Sequence, residues 1–293
     1  MKKILIFILL AFSFSQVSTD NVFSGTHTSA LTGAITSSKI VQKSFQHNPA
    51  ILAELNQQFF RIDYSNLYNV SFLENQLING FVNLPAIGNL GFHIEQSSVK
   101  YLSKTMSTEQ LFGFSKGYTL QKDRNSSLLL GFSFNYFLVS FGKSAGVNGD
   151  GTNGSLDKST GSEIGIDLGV LATLRDKYRF GAFLKNLNTP QIGDGISSQY
   201  LPQRLSLAVT YMPIDELSTT FELENELGKD PQVQAGIEYK LHPSLLLMVG
   251  IQSNPNRMGL GLSYEQNGIE VSWSILSHQI LPSTQSFSIG YSF

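Results

Sequence analysis

Apolar and polar residues alternate with a period of two along most of this chain, and the pattern is clearest toward the C-terminus. Leu205, Leu207, Val209 and Tyr211 are interleaved with Arg204, Ser206, Ala208 and Thr210. Val233, Ala235, Ile237, Tyr239 and Leu241 alternate with Gln232, Gln234, Gly236, Glu238 and Lys240. In the last segment Phe287, Ile289, Tyr291 and Phe293 oppose Ser286, Ser288, Gly290 and Ser292. Successive side chains of a strand point to opposite faces, so each segment predicts a strand with one greasy and one wet face. No stretch after Phe59 sustains a helical period, which makes the fold all-β.

A soluble β-sandwich would alternate too, but its outer face would be rich in charge. Here the polar face is mostly Ser, Gly, Gln and Thr, as a crowded, hydrated lumen would be. Only 14% of residues are charged against 11% aromatic, too little charge to keep a soluble chain of this size dispersed. Segments of suitable length fall at about 59–70, 75–84, 88–99, 105–120, 125–142, 161–174, 178–187, 201–212, 217–227, 231–242, 245–254, 258–266, 269–280 and 283–293. That is an even count of about fourteen, and most match the roughly 9 to 11 residues that cross a bilayer at a tilt. Turns at Lys229-Asp230, His242-Pro243 and Asn267-Gly268 are tight, whereas 142–161 and 188–201 are long. The expectation is a transmembrane antiparallel β-barrel over residues 59–293. An open sheet edge in hydrocarbon costs several kcal/mol per unpaired group, so the first strand must meet the last.

The N-terminus fits that destination. Lys2 and Lys3 precede an apolar run from Ile4 to Phe12 and then Ser13-Phe14-Ser15, the layout of a signal peptide cleaved after Ser15. The apolar run is short of the roughly 20 residues a spanning helix needs. Without cysteine the chain has no disulfide, no thiolate metal site and no lipidated N-terminal cysteine. Removing Lys2 and Lys3 leaves 18 basic against 22 acidic residues, too mild a balance for a nucleic-acid partner. The expected location is the bacterial outer membrane, with membrane lipid as the first partner. The terminal Phe293 after a strand pattern resembles the end signal of such barrels.

Residues 16–58 read differently, being rich in Ser, Thr and His toward the start and containing Asn48-Pro49-Ala50 followed by Leu52-Ala53. Asn48 can bond its own backbone to start a turn, Pro49 fixes φ, and a short helix can follow. Placed just ahead of a fourteen-strand pattern, the triplet resembles the FadL long-chain fatty-acid transporter superfamily. Within it the closer likeness is to the PorV/PorQ barrels of type IX secretion. Ser29-Ala30-Leu31-Thr32-Gly33-Ala34, Phe183-Leu184-Lys185-Asn186-Leu187, Leu201-Pro202-Gln203-Arg204-Leu205 and the Gly-rich final strands look like the family's. The stretch before the triplet carries Thr, Ser and Lys where the family is richer in Ala and Gly. The resemblance implies a lumen plugged near its periplasmic side, with Asn48, Pro49 and Ala50 as the plug's structural motif.

No catalytic constellation, cofactor site or metal site emerges. His27, His47, His93, His242 and His278 are scattered without metal-site spacing. A hydrolase would need Asp194, or Ser277 beside His278, as part of its machinery. The loop Asn148-Gly-Asp150-Gly-Thr152-Asn153-Gly154 has alternating oxygen ligands, but Ser159 stands where a calcium loop has its bidentate Glu. Glu222, Glu224 and Glu226 lie at period two and are expected to line the lumen, with Arg179, Lys185 and Arg204 as partners. Trp273, Tyr264, Tyr239 and Phe293 read as interfacial girdle residues.

The function expected from the resemblance is non-enzymatic: an accessory or shuttle component of type IX protein secretion, binding cargo signals or fellow secretion proteins through its loops. The alternative is a FadL-like passive channel for hydrophobic small molecules. Lateral exit would need a break in the wall, and the only candidate in sequence, Phe81-Val82-Asn83-Leu84-Pro85, has its proline at a strand end.

Overall fold

The computed structural model describes residues 23–85, 87–101, 104–143, 159–193 and 199–293. The expected signal peptide, the loop with alternating oxygen ligands and Asp194 lie outside them. Among the described residues sixteen strands follow one another: β1 (Phe59–Asn66), β2 (Leu73–Leu84), β3 (Gly88–Tyr101), β4 (Lys104–Lys122), β5 (Ser126–Phe141), β6 (Ser159–Leu174), β7 (Tyr178–Lys185), β8 (Gln191–Ile192), β9 (Gln199–Tyr200), β10 (Arg204–Ile214), β11 (Leu217–Glu226), β12 (Gln232–His242), β13 (Leu245–Gln252), β14 (Arg257–Gln266), β15 (Ile269–Leu276) and β16 (Thr284–Ser292). All but β8 and β9 form one closed antiparallel barrel of fourteen strands. The seam is β1 on β16, in register from Phe59 opposite Ser292 to Asn66 opposite Gln285. No described helix is long and apolar enough to cross a membrane; the strands do the crossing.

The period-two pattern decides which way each side chain points. On β10 the odd positions Leu205, Leu207, Val209 and Tyr211 are exposed outward, while Arg204, Ser206, Ala208 and Thr210 are buried inside. The same inversion holds on β16, where Phe287, Ile289 and Tyr291 face out and Ser286, Ser288 and Ser292 face in. In water such an exterior would be a very large apolar patch; against lipid it is the favourable surface.

The two ends of the barrel differ. At one end the connections 85–87, 123–125, 175–177, 215–216, 243–244 and 267–268 have two or three residues each. Asn267 and Gly268 both take positive φ, 53° and 81°, as a two-residue hairpin turn that follows strand twist requires. At the other end lie the long connections 142–158 and 186–203. Tyr178, Tyr211, Tyr239, Tyr264, Tyr291 and Phe293 ring the short-turn end on the outside, Tyr178 stacked on Tyr211 at 5.1 Å and Tyr291 on Phe293 at 6.0 Å. Short turns and an aromatic belt mark the periplasmic interface. Trp273 sits higher, opposite Phe287 and Leu262.

Candidate functional site

Among the described residues, chemistry-bearing side chains converge in the lumen, and its lower part is filled by residues 23–55. These form helix α1 (Thr26–Ala30) and two 3₁₀ turns, Phe45–His47 and Pro49–Ala53. Asn48 caps the second turn: its Oδ1 accepts from Ala50 N at 3.1 Å, and Pro49 takes the first position, where its missing N–H costs nothing. The Asn48 amide also donates to Thr36 O at 2.9 Å and to Val170 O of β6 at 3.1 Å. Phe45, Ala50, Ile51, Leu52 and Leu55 pack on Phe59, Phe81, Leu129 and Leu171 of the wall. The wall meets the plug backbone at glycines: a Cβ on Gly131 would collide with Ala50 N, and one on Gly250 with the Leu31 backbone. Nothing wider than a hydrogen fits there.

Two charged latches hold the plug. The first surrounds α1. Arg61 of β1 donates from Nη2 to Asp63 at 2.9 Å and to Ser288 Oγ at 3.0 Å, and from Nη1 to His27 Nδ1 at 2.7 Å. His27 Nε2 lies 3.0 Å from Glu270 Oε1, and Asp63 Oδ1 accepts from Thr26 N at 2.8 Å. An imidazole that accepts at Nδ1 and donates at Nε2 is neutral. Consistently, burial first and the Arg61 guanidinium second lower the His27 pKa from its usual value. Lys43 closes the group on Glu270 at 2.5 Å and Glu265 at 3.2 Å.

The second latch grips residues 35–38. Glu222 Oε2 accepts from Ile35 N and Thr36 N, both at 3.0 Å, and Oε1 from Thr36 Oγ1 at 2.6 Å. Ser38 Oγ donates to Glu238 at 2.7 Å, and Ser37 Oγ meets Thr210 Oγ1 at 2.6 Å. Arg179 donates to Ser37 O at 2.9 Å and to Glu54 of the plug at 2.7 Å. Glu222, Glu224, Arg204 and Arg179 are all buried inside the barrel. Their pairing differs from the expectation that the wall acids and bases would satisfy one another. Arg204 does so, with Glu224 at 3.4 Å and Glu226 at 3.5 Å, but Glu222 and Arg179 reach across to the plug, whose backbone offers unpaired N–H and C=O groups. Arg61, Asp63, Glu238 and Glu270 were missed in the sequence; the available signal was charge on the polar face of alternating strands.

Above the plug the lumen changes character. Leu111 of β4 and Phe137 and Val139 of β5 point inward, against the rule that the inner face is wet, and cluster with Ile192 and Leu201 of the 186–203 connection. In the sequence only 188–201 reads as a long connection, with the flanking strands running over 178–187 and 201–212; in the structure the strands stop at Lys185 and resume at Arg204, and the connection carries the β8–β9 pair and folds into the mouth. Ser277 and His278 are not brought together: Ser277 Oγ accepts from Met258 N at 2.8 Å, and His278 Nε2 bonds Thr284 Oγ1 at 2.9 Å. Strand β2 runs unbroken to Leu84, so Pro85 marks no gap in the wall.

A closed fourteen-strand barrel with a lipid-facing exterior and an N-terminal plug is the fold of the FadL-like outer-membrane barrels. The Pseudomonas putida toluene transporter TodX is 11% identical, with 92% of this chain and 97% of that one covered and a TM-score of 0.59. For the Ralstonia pickettii toluene transporter TbuX the values are 12%, 92%, 97% and 0.60, and for a Pseudomonas aeruginosa FadL homologue 11%, 92%, 98% and 0.57. Comparison with curated proteins returns no match. The family itself is shown by sequence: residues 19–255 match the model described as "F plasmid transfer operon, TraF, protein", and the chain belongs to that family. This, and not the PorV/PorQ group, is the family found; what stands of the expected resemblance is the FadL-like barrel fold in the outer membrane.

Proposed function

We propose that the barrel is a passive, non-enzymatic channel for apolar small molecules. The observation that carries this reading is the inward-facing apolar cluster of Leu111, Phe137, Val139, Ile192 and Leu201 at the mouth of the lumen, above the plug. An apolar lining with few polar groups is what a small hydrophobic ligand needs. Barrels of the same fold, TodX and TbuX among them, are described as toluene transporters. Type IX secretion, the reading the sequence alone ranked first, gains no such support. The test is uptake of radiolabelled toluene by intact Gram-negative cells expressing the chain against cells carrying empty vector. Faster entry is expected. Equal rates, together with lost secretion of proteins bearing C-terminal sorting domains when the gene is deleted, would restore the secretion reading.

A further inference from the structure

The short-turn rim of the barrel is unevenly charged. Its turns at 85–87, 243–244 and 267–268 carry no charge, and that at 215–216 is Asp215-Glu216. The turns at 123–125 and 175–177, with the end of β4, instead hold Lys122, Arg124, Arg175 and Lys177 against Asp123 and Asp176. These two turns are neighbours because β5 pairs with β6 from Ser126 opposite Leu174, and Asp176 N donates to Asn125 O at 3.0 Å, which joins them directly. All four basic side chains are exposed, and none has an ion-pair partner among the described residues. Asp123 is engaged by Gln121, whose Nε2 donates to its Oδ2 at 2.9 Å.

The backbone is strained where it presents them. Arg175 and Asp176 sit at φ 54° and 56°, the positive values that a type I′ turn requires at both central positions. On the same rim Asn267-Gly268 fills such a turn with residues that tolerate it, whereas Arg175 keeps its side chain in a conformation a glycine would adopt freely.

Lys116 extends the patch onto the outer wall. On β4 it shares its parity with the exposed Phe114 and Tyr118 and lies opposite Phe132, while Ser115 points inward to Ser133. A lysine among hydrocarbon-facing side chains is unfavourable unless its ammonium reaches the interface. Its Nζ lies 5.1 Å from the centre of the Tyr118 ring, which meets Phe132 edge to face at 6.5 Å. No described carboxylate pairs with it.

We propose that this sector of the rim binds an anionic phospholipid of the inner leaflet. Its phosphate lies between Lys116 and the cations of the two turns, and its acyl chains run along Tyr118, Phe132, Leu174 and Tyr178, all exposed on the outside. Five cations facing two acids repel one another until an anion joins them. A dissolved anion would have to leave water to reach Lys116 on the lipid-facing wall; a lipid phosphate is already at that depth, with apolar chains parallel to the strands. The site is independent of what the lumen carries.

The test is the association of spin-labelled phosphatidylglycerol, against spin-labelled phosphatidylcholine, with the full chain purified from a Gram-negative outer membrane and reconstituted in phosphatidylcholine vesicles. The wild type should hold phosphatidylglycerol several-fold more tightly, and the preference should shrink at high salt. Lys116→Gln, and Lys122→Gln with Arg124→Gln, should lower it by up to about fivefold per charge. Lys240→Gln, beside the acidic turn where Lys240 N donates to Glu216 O at 2.8 Å, should leave it unchanged. Arg175→Gly separates site from fold: with the strain relieved, the barrel should resist heat in detergent at least as well as the wild type, yet lose lipid preference. Equal retention of the two lipids by the wild type would overturn the site, as would a preference undiminished in Arg175→Gly and Lys116→Gln. Displacement of the labelled lipid by inorganic phosphate, beyond that by sodium chloride at equal ionic strength, would assign the patch to a free anion and overturn the lipid.

Discussion

The lower and upper halves of the lumen are closed by different chemistry. In the lower half, plug and wall are joined by buried ion pairs and by backbone laid directly on inward-facing glycines such as Gly131 and Gly250. In the upper half, an apolar cluster is covered by a segment whose hold on β6 comes mainly from side chains, Asn188 bonding Ile166 N and Ile164 O, and Asp167 accepting from Asn186 N. A buried charge left without its partner is costly, whereas a pair of exposed amide bonds trades readily with water. The floor is therefore the fixed part of the molecule and the mouth the adjustable one.

The largest expected effect comes from breaking the floor. Arg61→Ala strands Asp63, Glu270 and the acceptor nitrogen of His27 inside the barrel, and should cost about 3–5 kcal/mol of stability, the range for removing one partner of a buried pair. Urea midpoints of the barrel in detergent micelles, with protease cleavage within residues 23–55, would show it; a loss comparable to that of an exposed pair would mean that the latch is ornamental. Asn48→Ala should rank next, at about 1–3 kcal/mol, because the cap to Ala50 and the bonds to Thr36 O and Val170 O disappear together. The same two readouts apply, and an effect larger than that of Arg61→Ala would shift the emphasis from charge to capping.

Acid should loosen the plug more gently. Burial first and the Lys185 ammonium second push His47 down from 6.5 to about 3. An unseated plug takes up a proton below its ordinary pKa that the seated one refuses. Stability from this residue is therefore full above about 7 and declines as pH falls toward about 3, by on the order of 1.4 kcal/mol per pH unit. Hydrogen exchange of plug amides should speed up between neutral pH and about pH 5 after correction for the intrinsic rate. In His47→Gln that acceleration should shrink, with His27 left to drive it.

Much of the barrel was legible in advance because a period of two is written locally. The pattern over 217–227 became β11 (Leu217–Glu226), and that over 269–280 contains β15 (Ile269–Leu276), its end overrun because Ser277 and His278 turn into a loop. Asn48, Pro49 and Ala50 lie in the plug, where a triplet's own backbone chemistry suffices to set a turn. The latches were illegible for the opposite reason. Glu222 meets Thr36 across 186 positions and Ser38 meets Glu238 across 200, and no local rule couples them. The mouth cluster was hidden too, because Leu111, Phe137 and Val139 look like errors of alternation until Ile192 and Leu201 are seen to cover them.

The contrast between floor and mouth is tested most directly by the rate of toluene entry into cells carrying Phe137→Gln. With its barrel folded and its plug still protected from protease, this variant should admit toluene no faster than empty vector, while the wild type admits it rapidly. Undiminished entry through the variant would mean that the apolar mouth is not the path, and the division of the lumen into a fixed floor and a conducting mouth would fail.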